Sequence, residues 1–408
     1  MTTEQAAAWG ATGDHSPLMN NYGSPPRLFV RGAGAELWDD GGNRHLDFLC
    51  GLAVTSLGHA DPAVTEAVAN QAAKLSHTSN LFANEHQAPV AEKISELIDS
   101  GPGQVLFQNS GAEANEAAIK LARKYQGRGR HVVVSAMRSF HGRTLAALAA
   151  TGQPEKHEPF QPMPEGFRHV AWNDLGELER ALSPEVGAIL LEPVQGEGGV
   201  NPADADYLRG VRTICDERGI LLMLDEVQTG FGRTGEWFGF QHAGIVPDVV
   251  ALAKGIANGM PVGAIWARDD VAAAFVPGDH GSTYAGQALA LAAARATIAR
   301  YEELDAPALV RDREAVLRAR LAELDGVDHV RGQGLLLGIE LTDGARAGRT
   351  GPEIARECLD RGLILNGITP TALRVAPPFI VSDDEIDEAV GIIAAVLDSP
   401  TNSNEETA

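Results

Sequence analysis

Short apolar runs alternate with amphipathic stretches between about residues 100 and 270. ANEAAIKLARKY and DADYLRGVRTICDERG have helical spacing, and the second ends at Gly219, a residue type favoured just after a helix. The alternation predicts one large α/β domain with a mostly parallel sheet covered by helices. The candidate strands are Val105–Gln108, His131–Ser135, Val186–Glu192, Ile220–Asp225, Val249–Ala253 and Ala264–Ala267.

The pattern changes after about residue 300. An arginine-rich helical stretch, a strand LLLGIEL, a helix PEIARECLDRG and a last helix that opens with Ser382 and Glu385 in a capping box predict a small α+β domain. Near the N-terminus, RLFVRGAGAELWDDGGNRHLDFL predicts a hairpin that turns at Gly41 and Gly42. We expect an arm and hairpin at 1–50 that pack with the small domain, a large domain at 51–290, and the small domain with a polar tail at 291–408.

Composition narrows the class of protein. With 408 residues the chain exceeds the usual size of one core, and its 44% apolar and 22% charged residues are typical of folded, soluble proteins. A net charge of −22 repels phosphate backbones and anionic lipids, so we expect no binding to nucleic acid or membranes. The three cysteines lack CxxC spacing and the start lacks a signal-peptide pattern, which together predict a cytoplasmic protein without disulfides or a bound metal.

Two strand ends carry residues that suit ligand binding. One strand leads through Ser110, Gly111 and Ala112 directly into a helix, whose first N–H groups could cradle a phosphate; the alternative is a plain connection capped by Ser110. Another buried strand ends at Asp225 and Glu226, where α/β proteins bind ligands. Asp225 could pair with a protonated ring nitrogen or be a solvated strand end. A magnesium carboxylate of a nucleotide triphosphatase is excluded because GxxxxGK[ST] is absent.

Lys254 follows the apolar strand VVALA and precedes a glycine-rich turn. By itself it is most simply a solvated charge. A lysine desolvated at a strand end, however, has a lowered pKa, which frees its amine to condense with an aldehyde. A phosphate cradle, a strand-end aspartate and a strand-end lysine together match the phosphate, ring nitrogen and aldehyde of pyridoxal 5′-phosphate. The combination predicts an enzyme in which Lys254 also moves a proton as general base and acid.

Seven motifs then carry a family resemblance. They are SGAEANEAAIKLAR, FHGRT, EPVQGEGGV, LDEVQTGFGRTG, the lysine of ALAKG, HGSTYAGQALA and LRVAPP. In this order and spacing they resemble the class III (ω-amino acid) aminotransferases, over the range from about Leu37 to Ile393. LGHADP and SHTSNLFANE resemble the acetylornithine branch in particular. The resemblance implies the fold type I of pyridoxal-phosphate enzymes, with a mostly parallel seven-stranded sheet in the large domain.

The resemblance also implies which residues bind the cofactor. Asp225 would pair with the ring nitrogen, and Gln228 would contact the phenolic oxygen. Glu226, beside Asp225, is also expected to bind the cofactor. Phe140 and Val227 would cover the two faces of the ring. The phosphate would be held by Ser110, Gly111 and Ala112 and, from the neighbouring subunit, by Thr283. A homodimer with shared active sites is therefore expected.

The same resemblance assigns the substrate contacts. Arg143 would bind the carboxylate of an acylated amino donor, with Ser282 of the partner and Tyr22 or Asn80; the alternative for Arg143 is an ordinary surface arginine. His141, next to it, is expected to be structural.

A switch is also implied, because one pocket must accept two kinds of amine. Glu197 would pair with Arg374 and mask it while the terminal amine of the first substrate reacts. When glutamate binds, its α-carboxylate would take the arginine and Glu197 would swing aside. A charge-assisted Arg–carboxylate contact is about twice as strong as a neutral hydrogen bond, so the exchange is near balance.

Two positions depart from the family pattern. Ala112 stands where many relatives have threonine, which removes one hydroxyl contact to the phosphate. Gln287 and Ala288 replace the commoner Asn-Pro.

Other functions fit less well. A nicotinamide dehydrogenase is disfavoured because GAGAEL lacks the third glycine of its motif, and a serine hydrolase because GxSxG is absent. A non-catalytic binding protein is disfavoured by the presence of Lys254 and Asp225. The predicted reaction moves the terminal amino group of N2-acetylornithine to 2-oxoglutarate, in arginine biosynthesis, with Lys254, Asp225 and Glu197 as catalytic residues. Ornithine, succinylornithine and 4-aminobutyrate remain alternative donors.

Overall fold

The computed structural model describes residues 18–399. Most of the predicted arm, residues 1–17, and most of the predicted polar tail, residues 400–408, lie outside the described residues.

The strands follow one another as the apolar runs predicted. The first three are β1 (Phe29–Ala33), β2 (Glu36–Asp39) and β3 (Arg44–Asp47). The central ones are β4 (Gly103–Gln108), β5 (Val132–Ala136), β6 (Phe167–Val170), β7 (Val186–Leu191), β8 (Val194–Gln195), β9 (Asn201–Pro202), β10 (Leu221–Asp225), β11 (Val249–Leu252) and β12 (Gly263–Arg268). The last are β13 (Val327–Gln333), β14 (Leu336–Leu341), β15 (Leu363–Ile364), β16 (Asn366–Gly367) and β17 (Ala372–Val375).

The helices lie mostly between these strands. They are α1 (Pro62–Lys74), α2 (Gln87–Ile98), α3 (Gly111–Gln126), α4 (Leu145–Ala150), α5 (Pro154–His157), α6 (Leu175–Ala181), α7 (Ala205–Arg218), α8 (Asp269–Ala272), α9 (Ala288–Glu303), α10 (Ala306–Ala322), α11 (Asp343–Arg346), α12 (Gly351–Asp360) and α13 (Asp383–Leu397). Short 3-10 turns occupy Glu158–Phe160, Gly239–Ala243 and Lys254–Ala257, and Cys50–Ala53 forms a left-handed turn. Among the described helices, none is long and apolar enough to cross a bilayer.

A seven-stranded sheet forms the centre of the described part of the chain, in the order β4-β12-β11-β10-β7-β5-β6. The parallel strands β7, β10 and β11 are buried along their whole length, which explains why the sequence shows them as continuous apolar runs. The predicted α/β class and the mostly parallel sheet are confirmed. Two features differ from the apolar pattern: β12 runs antiparallel to both neighbours, and the edge strand β6 (FRHV) was not among the predicted runs.

The predicted hairpin is present, since β2 pairs with β3 in antiparallel register around a turn in which Gly42 has φ 79°. β3 also pairs in parallel with β15, which ties the N-terminal segment to the C-terminal part of the chain. A second sheet, β13-β14-β17-β16, lies in this C-terminal part, and the capping box of α13 forms as predicted.

These connections bring the site together. The carboxyl ends of the parallel strands β5, β7, β10 and β11 meet at one edge of the central sheet, where α/β proteins bind ligands. β17 approaches the same edge from the second sheet and carries Arg374.

Candidate active site

A cavity of about 420 Å³ opens at this edge of the sheet. Ten of the predicted site residues line it: Ser110, Gly111, Ala112, Phe140, Arg143, Glu197, Asp225, Val227, Gln228 and Lys254. They come from the ends of different strands and from the loops that follow them, so the fold collects residues that are far apart in the sequence.

The start of α3 lines one end of the cavity and is closely packed there. A side chain at Gly111 would place its Cβ 2.8 Å from Cγ1 of Val227, and one at Gly142, where φ is 135°, would lie 2.7 Å from Cβ of Ala112. The hydroxyl oxygen of Ser110 accepts a hydrogen bond from the N–H of Glu113 at 3.2 Å, so it caps the helix as the alternative interpretation expected. The helix end and its glycine form a cradle that suits a phosphate group.

Asp225 lies in the wall of the cavity and is held by three groups. Its Oδ2 accepts a hydrogen bond from Nδ2 of Asn115 at 2.8 Å and lies 2.8 Å from Nδ1 of His141, while Oδ1 accepts from the N–H of Val227 at 3.1 Å. All of Asp225, Asn115 and His141 are buried. An ionised Asp225 places the His141 proton on Nδ1. The carboxylate of Asp225 is therefore held in one orientation in the wall of the cavity.

His141 was expected to be a structural residue that packs or forms a hydrogen bond, and it contacts Asp225 in that way. Sequence reasoning missed Asn115, which was not singled out. Asn115 is a polar residue among the buried alanines of α3, and that break in the apolar face was the available signal.

Glu226, in contrast to its neighbour, does not line the cavity. Its carboxylate accepts hydrogen bonds from the hydroxyl of Thr229 and from the N–H groups of Gly239 at 2.9 Å and Phe240 at 2.8 Å. Burial raises the pKa of Glu226 to about 7. Its visible contacts fix the loop after β10, and the predicted direct contact with a cofactor is not supported by this position.

Lys254 directly follows the end of β11 and lines the cavity. Burial lowers the pKa of its amine, while the charges of Glu197 and Asp225 act in the opposite direction. Among the described residues its Nζ has no hydrogen-bond or salt-bridge partner. A desolvated amine without a partner is suited to reacting with a carbonyl compound.

Glu192 also lines the cavity, and sequence reasoning missed it. It is buried at the end of β7, and its Oε2 accepts a hydrogen bond from the N–H of Phe140 at 3.2 Å. Burial, together with the nearby charge of Asp225, raises the pKa of Glu192 well above its ordinary value. Glu192 therefore adds a second buried carboxyl group near Asp225 in the lining of the cavity.

The ion pair predicted between Glu197 and Arg374 is present. Nη1 of Arg374 donates to Oε1 of Glu197 at 2.6 Å, and Nη2 donates to Oδ1 of Asn366 at 3.0 Å. Arg374 is only 1% exposed, whereas the side chain of Glu197 is 29% exposed. Burial acts to raise the pKa of Glu197, but the charge of Arg374 and its hydrogen bond outweigh this and lower it. The arginine is anchored by Asn366, and the glutamate is the more exposed partner.

Arg143 lies on the exposed rim of the cavity. Its Cζ lies 5.6 Å from the ring centroid of Phe140, and among the described residues it has no hydrogen-bonding or ion-pair partner. The guanidinium group is therefore available to an incoming anion.

Besides Glu226 and Arg374, four predicted site residues do not line the cavity in this chain: Ser282, Thr283, Asn80 and Tyr22. Asn80 donates to the carbonyl oxygens of Ser282 at 3.2 Å and Ala285 at 3.0 Å, so residues 79–84 and 281–286 form one surface, which we call the loop-pair surface. Ser282 accepts from Nδ2 of Asn109 at 2.9 Å, whereas Tyr22 is 93% exposed. The cavity of one chain therefore does not include the residues for which these substrate and phosphate contacts were predicted.

Comparison with known families gives a match over residues 18–397 to the model described as "Aminotransferase class-III". The chain belongs to the class III aminotransferases. The family and the fold that the motif resemblance implied are therefore confirmed for this class III aminotransferase.

Similar proteins of known name fall in the same family. An acetylornithine aminotransferase of Caldanaerobacter subterraneus subsp. tengcongensis is 46% identical over 390 residues, which cover 93% of this chain and 97% of that protein. The crystal structure of N-acetylornithine aminotransferase from Stenotrophomonas maltophilia is 34% identical with a TM-score of 0.80, covering 93% and 97% of the two chains. The ornithine aminotransferase of Toxoplasma gondii is 31% identical with a TM-score of 0.87, covering 93% and 92%.

Proposed function

We propose that this aminotransferase moves the terminal amino group of N2-acetylornithine to 2-oxoglutarate, which gives N-acetylglutamate 5-semialdehyde and glutamate, a step of arginine biosynthesis. The observation that carries the proposal is the unpartnered amine of Lys254 in a cavity that has Arg143 on its exposed rim and Glu197, paired with Arg374, in its lining. The 46% identity with an acetylornithine aminotransferase supports the choice of donor.

The residues of the cavity fit pyridoxal 5′-phosphate. The helix N-terminus at Gly111 and Ala112 suits its phosphate, the fixed carboxylate of Asp225 suits its ring nitrogen, and Phe140 and Val227 offer apolar surfaces for the ring. When bound, this cofactor supplies an aldehyde that takes up the amino group and a ring that delocalises the electron pair left after a proton departs.

The chain's own residues would divide the remaining work. Lys254 would remove a proton from the substrate carbon and return it elsewhere, since its amine is neutral at lower pH than an ordinary lysine. Asp225 would keep the ring nitrogen protonated, because Asn115 and His141 hold its carboxylate in one orientation. A preorganised charge of this kind needs no reorganisation during the reaction.

Both substrates have a carboxylate far from the reacting group, and Arg143 would bind it in each case. Arg374 would bind the carboxylate next to the amine of glutamate, after Glu197 has moved away. With N2-acetylornithine, which has no carboxylate next to its reacting amine, Glu197 would stay on Arg374 and prevent a buried, unpaired charge.

The loop-pair surface supports a homodimer. Leu81, Phe82 and Tyr284 are 85%, 70% and 61% exposed, a degree of exposure that is unusual for neighbouring large apolar side chains unless they are covered. A second copy on this surface would bring its Ser282 and Thr283 toward the phosphate end of the first copy's cavity. Within one chain, Asn109 of the cavity donates a hydrogen bond to Ser282 of the same chain.

The test is a donor panel on protein reconstituted with pyridoxal phosphate. We expect a visible absorption band that borohydride shifts, and a higher kcat/KM for N2-acetylornithine than for ornithine, succinylornithine or 4-aminobutyrate with 2-oxoglutarate as acceptor. A Lys254→Ala variant is the control for the band. A preference for ornithine would replace the proposed donor, and absence of the band would reject the mechanism.

A further inference from the structure

Lys156 is a second cation beside the rim of the cavity that the motifs did not single out. It lies in the short helix α5 and is partly buried. Its Nζ donates to Oε1 of Gln153, and Nε2 of Gln153 donates to the carbonyl oxygen of Ser139 at 2.8 Å. This chain of contacts fixes the lysine beside the segment that carries Phe140 and Arg143.

Two cations lie near the ring of Phe140. Nζ of Lys156 is 5.8 Å from the centroid of its ring, and Cζ of Arg143 is 5.6 Å from the same centroid. An aromatic face attracts a cation over this distance, so the ring holds both groups near the same opening. The ring of Phe140 itself lines the cavity.

The two cations have no acidic partner within the described part of the chain. Neither Arg143 nor Lys156 forms an ion pair there, and Glu197 is already bound by Arg374 at 2.6 Å. Burial lowers the pKa of Lys156, the nearby charge of Arg143 lowers it further, and the charges of Glu155 and Glu197 act in the opposite direction. Two neighbouring cations without a counter-ion repel each other, and an anion placed between them relieves that repulsion.

We propose that Lys156 and Arg143 together bind the substrate carboxylate that lies farthest from the reacting group, so that Lys156 determines preference for substrates with a distal carboxylate. The proposal rests on the proposed function, because that reaction supplies such a carboxylate in both the donor and the acceptor. A local pair of cations is needed here because the whole chain carries a net charge of −22, which repels anionic substrates.

The experiment compares two acceptors on the reconstituted enzyme, 2-oxoglutarate and pyruvate, which lacks the distal carboxylate. Lys156→Gln should raise the KM for 2-oxoglutarate about tenfold, as expected for one lost contact to a charged group, with kcat changed little. The kcat/KM for pyruvate should stay unchanged, and Lys156→Arg should restore most of the KM. Calorimetry with glutarate, an unreactive dicarboxylate, should show the same loss of affinity.

Lys93→Gln is the matched control, since Lys93 is paired with Glu96 and Glu302 on another face of the chain. An unchanged KM for 2-oxoglutarate in Lys156→Gln, or an equal loss with pyruvate, would overturn the proposal and leave Lys156 as a packing residue. These outcomes are separate from failure of the proposed function, which would appear as absence of transamination in the unaltered enzyme.

Discussion

Asp225 in the cavity wall and Phe82 on the loop-pair surface represent two differently built regions. Asp225 is 4% exposed and contacts Asn115, His141 and the backbone of Val227. Phe82 is 70% exposed. In the buried region one chain supplies all three partners of the Asp225 carboxylate, because unpaired buried charge is costly. The exposed region leaves apolar surface uncovered, so the two regions differ in whether one chain supplies the contacts of their side chains.

The largest effect is expected inside the cavity, at Lys254. Lys254→Ala should lower kcat by about 10²- to 10⁴-fold, the range contributed by a positioned general base, and should abolish the borohydride-sensitive band. The melting temperature should change little, because Lys254 has no hydrogen bond to lose among the described residues. Lys93→Ala is the control. Retained turnover in the Lys254 variant would show that the cavity does not depend on Lys254 for its chemistry.

A smaller effect is expected one contact away from the reacting groups. His141→Leu removes one partner of Asp225 and should lower kcat/KM by about 10- to 100-fold, the cost of losing a hydrogen bond to a charged group. The variant should also lose pyridoxal phosphate faster on dialysis, and His141→Gln should recover part of both properties. The exposed His329→Leu serves as control. If cofactor retention and kcat/KM stay unchanged, the buried network does not hold Asp225.

The loop-pair surface is tested by a charge in its apolar patch. Phe82→Asp should give a particle of half the mass in light scattering and about tenfold lower activity at nanomolar concentration, because a buried, unpaired carboxylate disfavours association. The loss should shrink at high protein concentration. Val30→Asp, at another exposed apolar position, is the control. A monomeric variant with full activity would show that each chain encloses its own site.

The smallest effect is expected at the boundary between buried and exposed groups. Glu197→Ala should improve the kcat/KM for glutamate relative to N2-acetylornithine by about three- to tenfold, since Arg374 would no longer be masked. Glu357→Ala, which breaks an Arg349 pair elsewhere, is the control. An unchanged ratio of the two specificity constants would reject the proposed switch.

Several features could be predicted from the sequence because local patterns determine them. Buried parallel strands require continuous apolar residues, so β7, β10 and β11 were recognisable, and the helix start after Ser110 follows from its capping role. Lys254 and Asp225 were recognisable because each ends such a strand. The ion pair of Glu197 with Arg374 was predicted only through the family resemblance.

Other features depended on contacts between distant segments. The sequence places Asp225 and Glu226 side by side, yet only the folded chain turns one toward the cavity and the other toward the N–H groups of Gly239 and Phe240. In the same way, the packing of α3 and the segment after β5 decides that Asn115 and His141 hold Asp225. The sequence alone determines which residue types are available at each strand end. The tertiary structure decides which of them meet, because partners and burial are properties of the three-dimensional neighbourhood.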